Sequence, residues 1–167
     1  MDIVAFYGVV STLSFTLLGL WWVVAERRKA WFLVPARRRM AYVVSLHFML
    51  PGTMSLLSLV DPVCAPLWRI VFTLAGAAGA TGAVLVYDAV KEEFGRQRLG
   101  AAVLWIALPV YVLVAVVAVF PRVSDVVDLQ PRQLEGILIA LVVLFGINAA
   151  WFLTTEPTAA ERAAAAG

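Results

Sequence analysis

The sequence is poor in charged residues, in cysteine and in histidine. Charged residues make up 14% of its 167 residues and apolar residues 63%, whereas soluble globular domains are roughly one quarter charged and one half apolar. The formal net charge is only +2 and the charges are scattered, which excludes nucleic-acid binding and intrinsic disorder. A mean hydropathy of +0.93 indicates instead a polytopic membrane protein whose surroundings are the lipid bilayer.

The scarcity of cysteine and histidine excludes most metal and redox chemistry within one chain. Cys64 is the only cysteine, so an internal disulfide, a CxxC redox pair and a thiolate metal site are all excluded. His47 is the only histidine, which excludes bis-histidine haem ligation and a multi-histidine metal centre. HExxH, GxSxG and P-loop motifs are absent as well. We therefore expect no cofactor, no bound metal and no enzymatic activity.

Long apolar runs are what the sequence has in abundance. A hydrocarbon core of about 30 Å takes roughly 20 residues of helix, and five runs are long enough. Their length and the lack of period-two alternation favour helices over barrel strands. We predict an all-α bundle of five transmembrane helices in a single transmembrane domain at 1–154, with a short cytoplasmic tail at 155–167. The predicted spans are 4–25, 40–60, 67–90, 99–120 and 135–153.

The basic residues predict the orientation of this bundle. Most of the 13 lysines and arginines lie in the first and third loops and in the tail. Because positively charged loops stay in the cytoplasm, the N-terminus is predicted outside and the C-terminus inside. The same sorting counts Asp61, Asp125 and Glu135 among the acids of the outer face. Arginine far outnumbers lysine and alanine and valine are abundant, which is typical of GC-rich bacterial genomes, so we expect a bacterial plasma membrane.

The second predicted span holds the leading candidate for a functional site. His47 lies about 10 Å into the membrane at 1.5 Å per residue, and Pro51 and Gly52 follow one turn later. Because proline has no N–H, the carbonyl of His47 loses its helical partner, which places an imidazole and a free oxygen together on a kinked helix. One hypothesis is an ion-handling hinge, with His47 titrating. The other is a structural kink, with His47 bonded to a neighbouring helix.

The fourth predicted span repeats this proline. Leu108-Pro109 follows Leu50-Pro51 at a spacing of 58 residues, and Trp105 takes the place of His47. Both spans are predicted to run outward, and both prolines fall near the middle of the bilayer. A duplicated helix hairpin, as transporters often contain, explains this pattern, and so does chance, because little else aligns.

Small residues dominate the third predicted span. Gly76, Gly79 and Gly82 alternate with alanines, so that small residues recur four positions apart on several faces. Such faces let helix backbones approach closely, which drives helix association in lipid. We predict that this span packs on two or more sides at the centre of the bundle.

Two further polar residues fall near the predicted cytoplasmic end. Asp88 closes the third span, where it can meet His47 or the loop arginines Arg96 and Arg98, and Asn148 lies about five residues inside the end of the fifth. On the first span, the helical spacing of Tyr7, Ser11, Ser14 and Leu18 predicts one face, which packs against a neighbour or lines water.

Three functions are compatible with these features. The first is a small channel or transporter for an ion or small solute, forming a homo-oligomer and tuned by pH through His47, with Pro51, Gly52, Pro109, Asp88 and Asn148 as further pathway or gating candidates. The second is an accessory or scaffold subunit bound to a partner membrane subunit. The third, a lipid-processing enzyme, lacks a second well-placed catalytic acid and is the weakest. The narrow preference is for transport.

Overall fold

Helices account for nearly all of the described residues, as the long apolar runs predict. The structure is a computed structural model that describes residues 2–60, 64–94, 97–155 and 157, with the side chains of all of these except 89–90 and 92–104. Its elements are α1 (Ile3–Arg27), α2 (Ala30–Leu33), α3 (Pro35–Val60), α4 (Ala65–Phe94), α5 (Gln97–Val119), a 3-10 helix (Pro121–Val127) and α6 (Pro131–Thr155). The predicted all-α helix bundle is confirmed.

Four of these helices, α1, α3, α4 and α6, are individually long and apolar enough to cross a membrane. The stretch from Trp105 to Val119 of α5 meets the same test together with the 3-10 helix, from which a bend of 112° separates it. The chain is therefore a multi-pass membrane protein with four to five spans. The predicted tail at 155–167 lies outside the described residues, apart from Thr155 and Pro157.

Two predicted spans begin earlier in the structure because the sequence around them favours a helix start. Helix α3 begins at Pro35 and α6 at Pro131, and proline suits the first helical position because its missing N–H would be unbonded there anyway. At α6 the Gln133 side chain also accepts from the Gln130 N–H at 3.0 Å, as in a capping box. This early start adds a full turn to α6 before the predicted span.

The central helix of the bundle is α3. It contacts α1, α2, α4 and α6, and 56% of its most apolar stretch is buried, against 28% for α1 and 39% each for α4 and α6. The third predicted span, now α4, packs on two sides as predicted, but it is not the central helix. Its small residues pack on two helices: Gly76 and Gly79 lie against α5 at Tyr111, and Gly82 lies against α3 at Leu46.

Long-range hydrogen bonds tie the two ends of the bundle. At the end that holds the 3-10 helix, which we call the 3-10 end, Arg69 of α4 donates to the carbonyl of Ala118 on α5 at 2.8 Å. At the opposite end, which holds α2 and which we call the α2 end, Arg37 donates to the carbonyl of Pro157 at 2.8 Å. The predicted orientation places the α2 end in the cytoplasm.

Candidate functional site

One face of α3 carries polar side chains through the middle of the bundle. His47, Ser55 and Ser58 are 4%, 0% and 2% exposed, and Pro51 is buried between them. Spacings of four, four and three residues put these four positions on the same side of the helix. At 1.5 Å per residue the face extends for about 16 Å, roughly half of the hydrocarbon thickness.

Helix α1 presents a matching polar face to α3. Tyr7, Ser11 and Ser14 are all buried, and so is Leu18, the next residue on the same face of the helix. The Ser11 hydroxyl donates to the carbonyl of Gly52 on α3 at 3.3 Å. The lack of a side chain at Gly52 lets α1 come close, because a Cβ there would lie only 3.2 Å from the Cβ of Ser14. The two helices therefore enclose polar groups in the middle of a mostly apolar core.

We call this set of buried residues, completed by one carboxyl from α6, the polar seam. Its members are Tyr7, Ser11 and Ser14 of α1, His47, Ser55 and Ser58 of α3, and Glu135 of α6.

Two hydroxyls of the polar seam have no hydrogen-bond partner. Ser11 and Ser58 donate to carbonyl oxygens, whereas the Oγ atoms of Ser14 and Ser55 are buried and bond to nothing. Leaving a buried hydroxyl unsatisfied costs about 1 to 3 kcal/mol. Such groups can bind a water molecule or an ion that enters the seam, which makes this part of the bundle chemically competent to hold one.

His47 lies at the end of the polar seam that is nearer to the α2 end. Its Nδ1 is 2.8 Å from the carbonyl oxygen of Val43, one turn earlier on α3, and carries the hydrogen of that bond. Its ring meets Tyr111 of α5 edge to face, with the centroids 5.6 Å apart, and its Cβ lies against Gly146 of α6. Residues from α5 and α6 therefore enclose the imidazole.

Tyr111 is a neighbour of His47 that the sequence analysis missed. Its side chain is 3% exposed and its hydroxyl has no hydrogen-bond partner. Its ring occupies the space left by Gly79 of α4. A tyrosine in the middle of an apolar span, with a glycine-rich helix elsewhere in the chain, was the signal available in the sequence.

Glu135 occupies the end of the polar seam that is nearer to the 3-10 end. It lies at the end of the bundle that the predicted orientation places outside, but its side chain is 0% exposed, on the buried face of α6. Neither carboxyl oxygen has a hydrogen-bond partner. The available signal was its position as the first residue of the predicted span 135–153. The same face of α6 reaches Gly146, and thus His47, about 16 Å further along.

The structure does not bring the remaining candidates into the polar seam. Pro109, Asp88 and Asn148 are exposed, that is, not covered by the rest of the chain. The Asn148 amide donates to the carbonyl of Leu144 on its own helix at 2.8 Å. The arginines proposed as partners of Asp88 lie outside the residues whose side chains are described. Of the six pathway candidates, only His47, Pro51 and Gly52 are brought together.

The described residues hold no group of three or more histidine, cysteine, aspartate or glutamate side chains that could bind a metal ion. No protein family, no curated protein and no solved structure matches the chain. The polar seam at the α1–α3–α6 interface is therefore the site that the geometry itself singles out in this multi-pass membrane protein.

Proposed function

We propose that the chain moves a small ion across the membrane, as a channel or transporter, along the polar seam. The observation that carries this proposal is the row of buried polar side chains from Glu135 to His47, inside a bundle whose other described buried residues are apolar or small, apart from Arg37 and Ser124 at its two ends. Polar and ionisable groups inside membrane helices are costly, and they commonly mark ion pathways.

The contacts of the polar seam favour a small cargo. A Cβ placed at Gly52 or at Gly146 would already approach neighbouring side chains to 3.2 Å and 2.8 Å, so the helices are in close contact on both sides of the seam. A proton, or an ion that displaces little volume, fits such an interface better than an organic solute. The unbonded hydroxyls of Ser14 and Ser55 supply the polar groups between the two ends.

The test is flux through the full chain reconstituted in liposomes, with dyes that report protons, sodium, potassium and chloride in turn. We expect one ion to move and Ser55→Ala to slow it, because alanine removes a seam hydroxyl without adding bulk at this fully buried position. Ser45→Ala is the matched control, since the Ser45 hydroxyl on the same helix bonds the Ala41 carbonyl and lies outside the polar seam. No flux of any ion, or equal slowing by both variants, would refute the proposal.

A second candidate function is an accessory or scaffold subunit, and one observation favours it. Six of the eight glycines whose surroundings are described lie against another helix or side chain, but Gly8 and Gly19 of α1 have nothing within 4 Å of a Cβ position. Thr12 lies between them and is also exposed. Faces of small residues commonly receive a neighbouring helix in membranes. In this function α1 would dock onto a partner membrane protein.

The mass of the gently solubilised complex separates these alternatives. A second copy of the chain accords with a homo-oligomeric channel, whereas a different polypeptide in fixed ratio accords with an accessory subunit. We expect Gly8→Leu with Gly19→Leu to dissociate either complex, because leucines fill the open face. Gly52→Leu is unsuitable as a control because it disturbs the core, so Val9→Leu, at an exposed position of the same helix, serves instead.

A further inference from the structure

The Glu135 carboxyl differs from every other described acid. Asp2, Glu26, Asp88, Asp125 and Asp128 are exposed, whereas Glu135 is completely buried. Asp2 also caps α1 by accepting from two backbone N–H groups, but both oxygens of Glu135 are without a hydrogen-bond partner. Burying an ionised carboxyl without a partner costs several kcal/mol, and that cost disappears when the group takes up a proton.

The surroundings of Glu135 are polar on one side only. The Tyr7 phenol of α1 donates to the carbonyl of Arg132, one turn before Glu135 on α6, at 2.9 Å. The Arg132 guanidinium lies 5.5 Å from the centre of the Tyr7 ring and reaches the carbonyl of Ser58 at 3.4 Å. Helices α1, α3 and α6 therefore meet around Tyr7 and Arg132, one turn from Glu135 on α6.

This environment suits a proton and does not suit a metal cation. Hard metal cations require several oxygen ligands, and the described residues offer no cluster of carboxylates around Glu135. A proton needs a single oxygen, and its uptake leaves a neutral acid.

We infer that Glu135 is the group that binds and releases the transported ion, and that this ion is a proton. The inference rests on the proposed function, since it names the cargo of the same polar seam. The carboxylate takes a proton from hydronium at the 3-10 end and becomes the neutral acid. The acid then gives the proton to a water molecule hydrogen-bonded by the hydroxyls of Ser55 and Ser14, which regenerates the carboxylate, and the proton leaves as hydronium towards the α2 end.

The other ionisable groups with described side chains on the elements packed against α6 lie mostly far from Glu135. They are Tyr7, Glu26 and Arg27 on α1, Arg37, Arg38, Arg39, Tyr42 and His47 on α3, Tyr111 on α5, and Arg122 and Asp125 on the 3-10 helix, together with Arg132 on α6 itself. Glu26, Arg27 and the three arginines of α3 lie at the α2 end, opposite to Glu135. Arg122 and Asp125 are exposed, Tyr42 is 61% exposed, and His47 and Tyr111 lie at the opposite end of the polar seam. None of them is a second carboxyl within the seam.

The test combines infrared spectroscopy with proton flux in the reconstituted full chain. In a pH titration we expect the carbonyl stretch of a carboxylic acid that makes no hydrogen bond, and we expect Glu135→Gln to remove it. Glu26→Gln, which makes the same change at an exposed acid, should leave it in place. Proton flux should fall at least about tenfold in Glu135→Gln and recover in part in Glu135→Asp.

The two readouts separate the failure of this inference from that of the proposed function. If wild-type chain carries protons and Glu135→Gln carries them equally fast, the inference is overturned and the transport function stands. The same holds if the chain carries a different ion. If the carbonyl band depends on Glu135 but no ion moves at all, the proposed function fails and the cargo named here fails with it. Thermal stability measured beside each assay shows whether a variant is folded.

Discussion

The two helices that contain a Leu-Pro pair differ in almost every contact. In α3, Pro51 is buried, and His47 one turn earlier is 4% exposed and enclosed by α5 and α6. In α5, Pro109 is exposed and Trp105, one turn earlier, is 77% exposed. The Leu-Pro pair is thus repeated in the sequence, but the packing around it is not.

The difference comes from the position of each helix in the bundle. Helix α3 has neighbours on several sides, whereas α5 contacts α4, α6 and the 3-10 helix and leaves its Pro109 face uncovered. Because lipid is as apolar as a protein core, both faces can be built from the same kinds of residues. The chemistry of a proline in a membrane helix therefore follows from what packs beside it.

The largest effect in this comparison is expected where α6 covers His47. A Cβ atom added at Gly146 would already lie only 2.8 Å from the Cβ of His47, so the larger side chain of Gly146→Leu has no room. Overpacking costs about 1 to 3 kcal/mol and occasionally more, and a whole leucine side chain in so close a contact falls at the upper end, so we expect much lower thermal stability in detergent or no folded protein. Val9→Leu is the control, because Val9 is 66% exposed on α1. Equal stability of the two variants would show that α6 does not cover α3 at His47.

The next effect concerns the residues one turn before each proline. We expect His47→Ala to cost about 2 to 4 kcal/mol, since it leaves a cavity between Tyr111 and Gly146 and removes a buried hydrogen bond. Trp105→Ala should change stability by less than about 0.5 kcal/mol, because its side chain is uncovered. Thermal unfolding of both variants in the same detergent measures the difference. A larger loss in Trp105→Ala would reverse the comparison, and would indicate that another chain covers α5.

Replacing the prolines themselves should also cost more stability in α3 than in α5, but the difference should be smaller. Pro51→Ala removes a buried ring and should cost about 1 to 2 kcal/mol, although it restores a backbone N–H. Pro109→Ala restores the N–H without opening a cavity, so we expect no loss or a small gain in stability. Thermal unfolding again provides the measurement. Should both substitutions lower stability equally, burial of the ring would not explain the role of Pro51.

The apolar runs predicted the helices well because length and hydropathy alone decide whether a segment can span a membrane. The start of α3 at Pro35 and of α6 at Pro131 differed from the predicted starts by about one turn. Helix caps and proline at the first position set these starts, and both are visible in the sequence. At α6 the later predicted start put Glu135 at the edge of the span, whereas the structure buries its side chain in the core.

Which side of each helix faces the core was much harder to predict. The face of Tyr7, Ser11 and Ser14 followed from spacing alone, and all three are buried. Asp88 and Asn148 were chosen by depth in the membrane, and depth does not specify whether a side chain points towards the core or the lipid. Tyr111 was missed because its place beside His47 depends on how α4 and α5 pack, which no single segment encodes.

The smallest expected effect is the difference in stability between variants of two buried tyrosines, Tyr7 of α1 and Tyr111 of α5. The Tyr7 hydroxyl donates to the Arg132 carbonyl at 2.9 Å, and Tyr7→Phe should cost about 1 kcal/mol because that carbonyl loses its bond. The Tyr111 hydroxyl is buried without a partner, so Tyr111→Phe removes an unsatisfied group and should leave stability unchanged or slightly higher. The two variants delete the same atom and keep the ring packing, so each serves as the control for the other. If Tyr111→Phe is the more destabilising of the two, its hydroxyl has a partner in the membrane, and a water molecule or ion bound beside His47 becomes the first candidate.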